Sequence, residues 1–165
     1  MKNAIRTAPD RKSQLDWIER VAAYVAADGT PPIAGRILGW LMICNPPEQS
    51  AADIAKAISA SRASMTTNLQ ILTATGLVER RARSGQRTEF YRVLDDAWER
   101  LVRRQVAGLT AFRQVARDGL ALTGSNRTHS ARVREADQIF TWLTNVFERA
   151  PPMPSGKRVR LDRAD

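Results

Sequence analysis

Five arginines fall within one short stretch: Arg80, Arg81, Arg83, Arg87 and Arg92. A guanidinium stays charged at any physiological pH, and its planar fork of donors matches the oxygens of a phosphate. Only Glu79 and Glu89 oppose these charges nearby in the sequence. A cluster that dense points to contact with a polyanion. The remaining reactive side chains are sparse. Cys44 and His129 are the sole cysteine and histidine, and their separation argues against a metal site. Cys44 lies in an apolar stretch and reads as a small apolar residue, since oxidant sensing needs exposure and a lowered thiol pKa. Asp95-Asp96 is a carboxylate pair, but it stands where a helix should begin and where acids complement the helix dipole. Neither a nucleophile elbow nor a phosphate-binding glycine loop is present. The expectation is a protein without catalysis, cofactor or metal.

Composition narrows the classes further. The chain has 165 residues, a net charge of +9 and 43% apolar residues, enough to bury a core. No apolar run approaches the length of about 18 residues that a membrane span needs, and one cysteine cannot form an internal disulfide framework. Absence of a secretory pattern at the N-terminus suggests the cytoplasm. Residues 51–94 carry seven basic groups against three acidic ones, the steepest excess in the chain.

These residues need elements to hold them. Leu15, Ile18, Ala22 and Val25 draw an apolar stripe on a first helix over 11–27, closed by Asp28-Gly29 and two prolines. A second helix, 33–44, is apolar almost all round and reads as buried. Ser50 to Asp53 has the form of a capping box opening a short helix, 51–58. Ser61 suits the N-cap of another, running to Thr75 with Met65, Leu69 and Leu72 inward and Gly76 as its stop. The pattern then alternates over 77–83 and 88–94, two strands of a hairpin joined at 84–87. Long helices follow over 95–121 and 129–149. In the last, Val133, Ala136, Phe140, Leu143 and Phe147 form a heptad seam. The basic remainder, 151–165, reads as a disordered tail.

The order helix, helix, tight turn, helix, two-stranded wing is that of a winged helix-turn-helix. The fold class expected is therefore mainly α with a small β-hairpin wing, a winged core carrying long dimerisation helices. The fourth helix turns Ala63, Thr66, Thr67 and Gln70 outward, with Ser61, Arg62 and Ser64 at its first turn. A polar, small-featured helix fits the major groove of double-stranded DNA, and Arg62 can hold a guanine by two hydrogen bonds. Arg80, Arg81, Arg83 and Arg87 would meet phosphates or the minor groove. A winged-helix adaptor for protein contacts is the alternative from another class.

The stretches Ile33-Ala34-Gly35-Arg36-Ile37-Leu38-Gly39-Trp40-Leu41, Pro46-Pro47-Glu48-Gln49-Ser50 and Gly76-Leu77-Val78-Glu79-Arg80 resemble the MarR-type winged-helix transcription regulators, and more narrowly their GbsR-like branch. The resemblance implies one MarR-like domain over 1–150: an N-terminal dimerisation helix (11–30), a DNA-binding core (31–94) and C-terminal dimerisation helices (95–150). It implies a homodimer acting on a pseudo-palindromic operator, as a ligand-responsive repressor, with a choline-like effector in some members. Leu15, Ile18, Ala22 and Val25, with the Val133 to Phe147 seam, are the candidate dimer surface. Packing of those helices on one another within the chain is the alternative. Trp17, Tyr24 and Trp98 read first as core and dimer packing, since aromatics dominate such interfaces; the sharper reading is a cage for a cationic effector formed by their rings.

Overall fold

A computed structural model describes residues 10–83, 85, 87–123 and 127–154. Residues 155–165 of the expected tail and parts of both expected turns, Ser84, Gln86 and 124–126, lie outside the described residues. Among the described residues, six helices and three strands follow in the order α1 (Arg11–Ala26), α2 (Pro32–Ile43), β1 (Gln49–Ser50), α3 (Ala51–Ile58), α4 (Arg62–Ala74), β2 (Val78–Ala82), β3 (Glu89–Val93), α5 (Ala97–Thr123) and α6 (Arg127–Glu148). The chain divides into two compact units, Met1–Ala97 and Trp98–Asp165.

In the first unit α1 lies on α2. Asp10 caps α1 by accepting from the Ser13 backbone N–H at 2.7 Å. Ile18, Ala22 and Val25 are buried, and α2 answers with Ala34, Gly35, Ile37, Leu38, Gly39 and Leu41. The approach is close: a Cβ placed on Gly35 would stand 2.6 Å from the Ala22 Cα. This corrects the expectation that the α1 stripe is a dimer surface. Ile18, Ala22 and Val25 are covered by α2 of the same chain, and Leu15 is half-buried beside them. Nor is α2 buried all round, since Met42 and Ile43 emerge at its end.

The short helix α3 begins at the capping box foreseen in the sequence. The Ser50 hydroxyl accepts from the Asp53 N–H at 3.1 Å, and Asp53 accepts in turn from the Ser50 N–H at 3.4 Å. Ser59 ends α3 in the left-handed region, φ 54°, a conformation that polar residues tolerate in tight turns. Met65, Leu69 and Leu72 of α4 face the core with Ile54 and Ile58 of α3 among its most buried members.

The sheet has three antiparallel strands in the order β1-β3-β2. β2 and β3 form the expected hairpin, with Val78 opposite Val93 and Arg80 opposite Tyr91. β1 was not expected. Two residues are too few to show alternation, yet Gln49 and Ser50 pair with Tyr91 and Phe90. The root of the hairpin is tied to α4, because the Leu77 N–H donates to the Leu72 carbonyl and the Leu94 N–H to Leu77, both at 3.1 Å.

The second unit is an α5–α6 pair. Phe112 and Phe140 meet with ring centroids 4.6 Å apart, Val133 lies against Gly119, and Arg117 reaches Asp137 at 3.5 Å. The most buried residues of α6 are Ser130 and Thr144, a row displaced roughly 80° around the helix from the heptad seam. The seam residues Val133, Ala136, Phe140 and Leu143 are accordingly half-buried, and Phe147 is exposed. A further apolar row, Ile139, Trp142 and Val146, faces outward, with Trp142 63% exposed.

Candidate nucleic-acid interface

The first unit presents two adjacent elements of the sequence at its surface: α4 and the hairpin. On α4, Ser61, Arg62, Ala63, Thr66, Thr67 and Gln70 are all exposed. The first turn is fixed by its own hydroxyls. Ser61 accepts from the Ser64 N–H at 3.3 Å, and the Ser64 hydroxyl donates back to the Ser61 carbonyl at 2.8 Å. Ser64 is half-buried, so its hydroxyl shapes the helix entry while Arg62 projects from it. Asn68 faces inward and donates from Nδ2 to the Ser64 carbonyl at 2.7 Å, which braces the same turn from behind. The outward face is left to Arg62, Thr66, Thr67 and Gln70, groups that can donate to base edges or phosphate oxygens.

The hairpin carries its arginines in ion pairs. Arg80 meets Glu89 at 3.0 Å. Arg81 meets Glu79 at 2.9 Å and Glu48 at 3.4 Å. Arg83 meets Glu48 at 3.0 Å and lies 3.9 Å from the centroid of the Phe90 ring. Arg92 is bonded to Glu79 and stands 3.5 Å from Asp95. Among the described residues Arg62 and Arg87 have no such carboxylate partner. Besides Glu79 and Glu89, the acids named from the sequence, the fold thus brings Asp95 and Glu48 to the cluster. Glu48, more than thirty residues upstream, arrives because β1 pairs with β3, and a strand of two residues left no pattern by which to foresee it.

Titration follows from this packing. Burial raises the Glu79 carboxyl, but the hydrogen bond and charge of Arg92, with Arg81, outweigh it and hold its pKa below the ordinary value. Burial lowers the Arg92 guanidinium, and Glu79 with Asp95 more than reverses that. Arg92 is thus a structural cation at the base of the hairpin. Burial, then the hydrogen bond to Glu89, raises the Tyr91 hydroxyl. Cys44 is half-buried at the end of α2, and burial pushes its thiol up to about 11 despite an opposing backbone hydrogen bond. Such a thiol is almost wholly protonated near pH 7 and is a poor nucleophile.

Of the candidate effector residues, Trp17 is half-buried and Tyr24 is 72% exposed, seven residues apart on α1. Trp98 opens the second unit and is exposed. No helix among the described residues is long and apolar enough to cross a membrane.

Comparison with known proteins agrees with this arrangement. Residues 28–87 match the profile of the MarR family. Residues 96–150 match that of the MmpR5-like MarR family transcriptional regulators, a description that differs from the GbsR-like branch. The chain is 30% identical over 137 residues to the HTH-type transcriptional regulator MmpR5 of Mycobacterium tuberculosis (strain ATCC 25618 / H37Rv), covering 82% of this chain and 83% of that one. It also superimposes on the crystal structure of a transcriptional regulator with a TM-score of 0.65, at 28% identity, over 82% of this chain and 93% of the other.

Proposed function

The chain belongs to the MarR family of transcriptional regulators, DNA-binding winged-helix proteins rather than enzymes, and from that premise we propose how it reads DNA. The exposed face of α4 enters the major groove, where Arg62, Thr66, Thr67 and Gln70 contact bases. Ser61, Ala63 and Ser64 set how closely the helix seats. Arg80, Arg81, Arg83 and Arg87 contact the phosphate backbone beside it and position the helix without reading sequence. The observation that carries this reading is the pairing, in one compact unit, of an uncovered polar helix face with an arginine-rich hairpin tied to its C-terminal end.

The functional unit is a homodimer on a pseudo-palindromic operator, acting in the cytoplasm as a repressor. MarR regulators typically act as dimers, and the apolar groups left exposed on α5 and α6 support a second copy here: Phe112, Val115, Ile139, Trp142 and Phe147. A single chain does not bury them, and water is a poor neighbour for so many large apolar groups on one helix pair. Two-fold symmetry would place the two α4 helices about 34 Å apart, one turn of DNA. A small-molecule effector, with Trp17, Tyr24 and Trp98 as the aromatic candidates, would act by binding one dimer geometry more tightly than another. Selection of binding sites from random duplexes by the purified protein tests the reading. Enrichment of an inverted repeat supports it, and enrichment of none removes it.

A further inference from the structure

We propose that Glu48 is a built-in competitor for the DNA backbone: its carboxylate occupies Arg81 and Arg83, and phosphate must displace it before either arginine can bind DNA. The inference rests on the assignment of the hairpin to the phosphate backbone, and it adds a residue that sets affinity and salt response.

The geometry divides the hairpin arginines into two kinds. Arg81 and Arg83 converge on the two oxygens of one carboxylate, Oε1 at 3.4 Å and Oε2 at 3.0 Å. Arg81 also holds Glu79 at 2.9 Å through its Nε, so Glu48 is the sole carboxylate partner of Arg83 and the second of Arg81 among the described residues. Both arginine side chains remain about half exposed, whereas Glu48 is 23% exposed. The acid is therefore the more buried member, and the bases are its more exposed partners. Its placement has a cause. Gln49, the next residue, is held in β1 opposite Tyr91, and its side-chain amide donates to the Pro46 carbonyl at 2.7 Å. Arg87, by contrast, is exposed and has no carboxylate partner among the described residues.

A carboxylate gripping two guanidiniums imitates the anion that the wing is meant to find. Exposed ion pairs of this kind are weak, so phosphate can take the arginines over. The acid stays behind, however, and offsets one of the charges that Arg81 and Arg83 bring to the backbone, in addition to what Glu79 already offsets at Arg81. Counterion release scales with that charge, by about 0.9 in the slope of log K against log salt per phosphate neutralised on duplex DNA. Glu48→Gln should therefore steepen the slope by about 0.9. Taking equal affinities at about 1 M salt, the variant should bind any duplex about eightfold more tightly at 0.1 M and about twofold at 0.5 M. Because the gain applies to all sequences alike, the operator gains no advantage over random DNA.

The experiment is a double-mutant cycle read by fluorescence anisotropy on an operator duplex and a random duplex over a salt series. The four proteins are the wild type, Glu48→Gln, Arg81→Ala with Arg83→Ala, and all three changes together, each checked for native circular dichroism. The expected result is tighter binding and a steeper slope for Glu48→Gln, which disappears when both arginines are absent. An unchanged slope for Glu48→Gln, with the arginine variant weakened, overturns the competitor while leaving the hairpin on the backbone. Weaker binding by Glu48→Gln overturns it too, because the carboxylate would then be holding the arginines in their binding pose. An equal steepening without the arginines reduces Glu48 to general charge and overturns the proposal. No effect from losing both arginines overturns the hairpin assignment itself.

Discussion

Replacing Gly35 by alanine tests the seating of α1 on α2. The new Cβ would stand 2.6 Å from the Ala22 Cα and 2.8 Å from a Val25 methyl. The first is backbone and cannot rotate away, so α1 must move. Overpacking of a tight interior costs about 1–3 kcal/mol, and a clash with backbone belongs at the upper end. Alanine returns about 1 kcal/mol of helix propensity. The net loss is then about 2 kcal/mol, a fall in Tm of about 8–16 °C for a unit of this size. Gly39 and Gly108 supply the internal controls. At Gly39 the nearest backbone atom is 3.2 Å away, and at Gly108 nothing lies within 4 Å. Gly39→Ala should therefore fall close to wild type, and Gly108→Ala should gain about 1 kcal/mol from propensity alone. Thermal unfolding followed by circular dichroism separates the three. If Gly35→Ala melts at or above the wild type, the packing described here is wrong. Ile18, Ala22 and Val25 would then be available to another chain after all.

Three other outcomes follow from the structure. Arg62→Ala should cost about 1–3 kcal/mol at one base position and relax specificity there, whereas Arg87→Ala should weaken all sequences alike and flatten the salt slope by about 0.9; competition binding across single-base operator variants distinguishes the two. Cys44 should resist alkylation near pH 8 in the folded protein and react readily when unfolded, because its thiol sits at about 11 against an ordinary 9.0; the raised folded value leaves stability untouched below pH 9 and erodes it as pH climbs towards 11, which denaturant titration at several pH values will show. Trp142→Glu places a charge in the exposed apolar row of α6 and should release monomers in sedimentation, while an unchanged mass would move the dimer surface elsewhere.

Most of the fold could be read in advance because its signals are local. Capping chemistry marks where α3 and α4 begin, at Ser50 and Ser61, and apolar spacing marks the inner face of α4. The hairpin followed from alternation and turn residues. The failures share one cause, since each depends on what lies across from a residue in space. The α1 stripe looked unpartnered because nothing local says that Gly35 and Gly39 let α2 approach so closely. On α6 the most buried row runs through Ser130 and Thr144, small polar residues that a hydrophobic count overlooks, while the apolar seam stays half-buried or exposed beside it. Glu48 escaped notice because its partners are brought to it by a two-residue strand. The exposed face of α4 was legible for the opposite reason: it follows from the helical spacing of Met65, Leu69 and Leu72 alone, with no partner across from it needed to define it.

Ser50 belongs to two elements at once, being the last residue of β1 and the N-cap of α3. A single peptide thus rivets the sheet to the front of the helix-turn-helix, while the Leu77 and Leu94 hydrogen bonds rivet it to the end of α4. Fastened at both ends, the hairpin and α4 behave as a two-pronged gauge of fixed width. With α4 on the bases and the hairpin on the phosphates, as proposed, every half-site the protein accepts should therefore keep the same offset between the two contacts. Hydroxyl-radical footprints of divergent operators would expose that constant as a shared ruler mark, even where the spacing between half-sites varies.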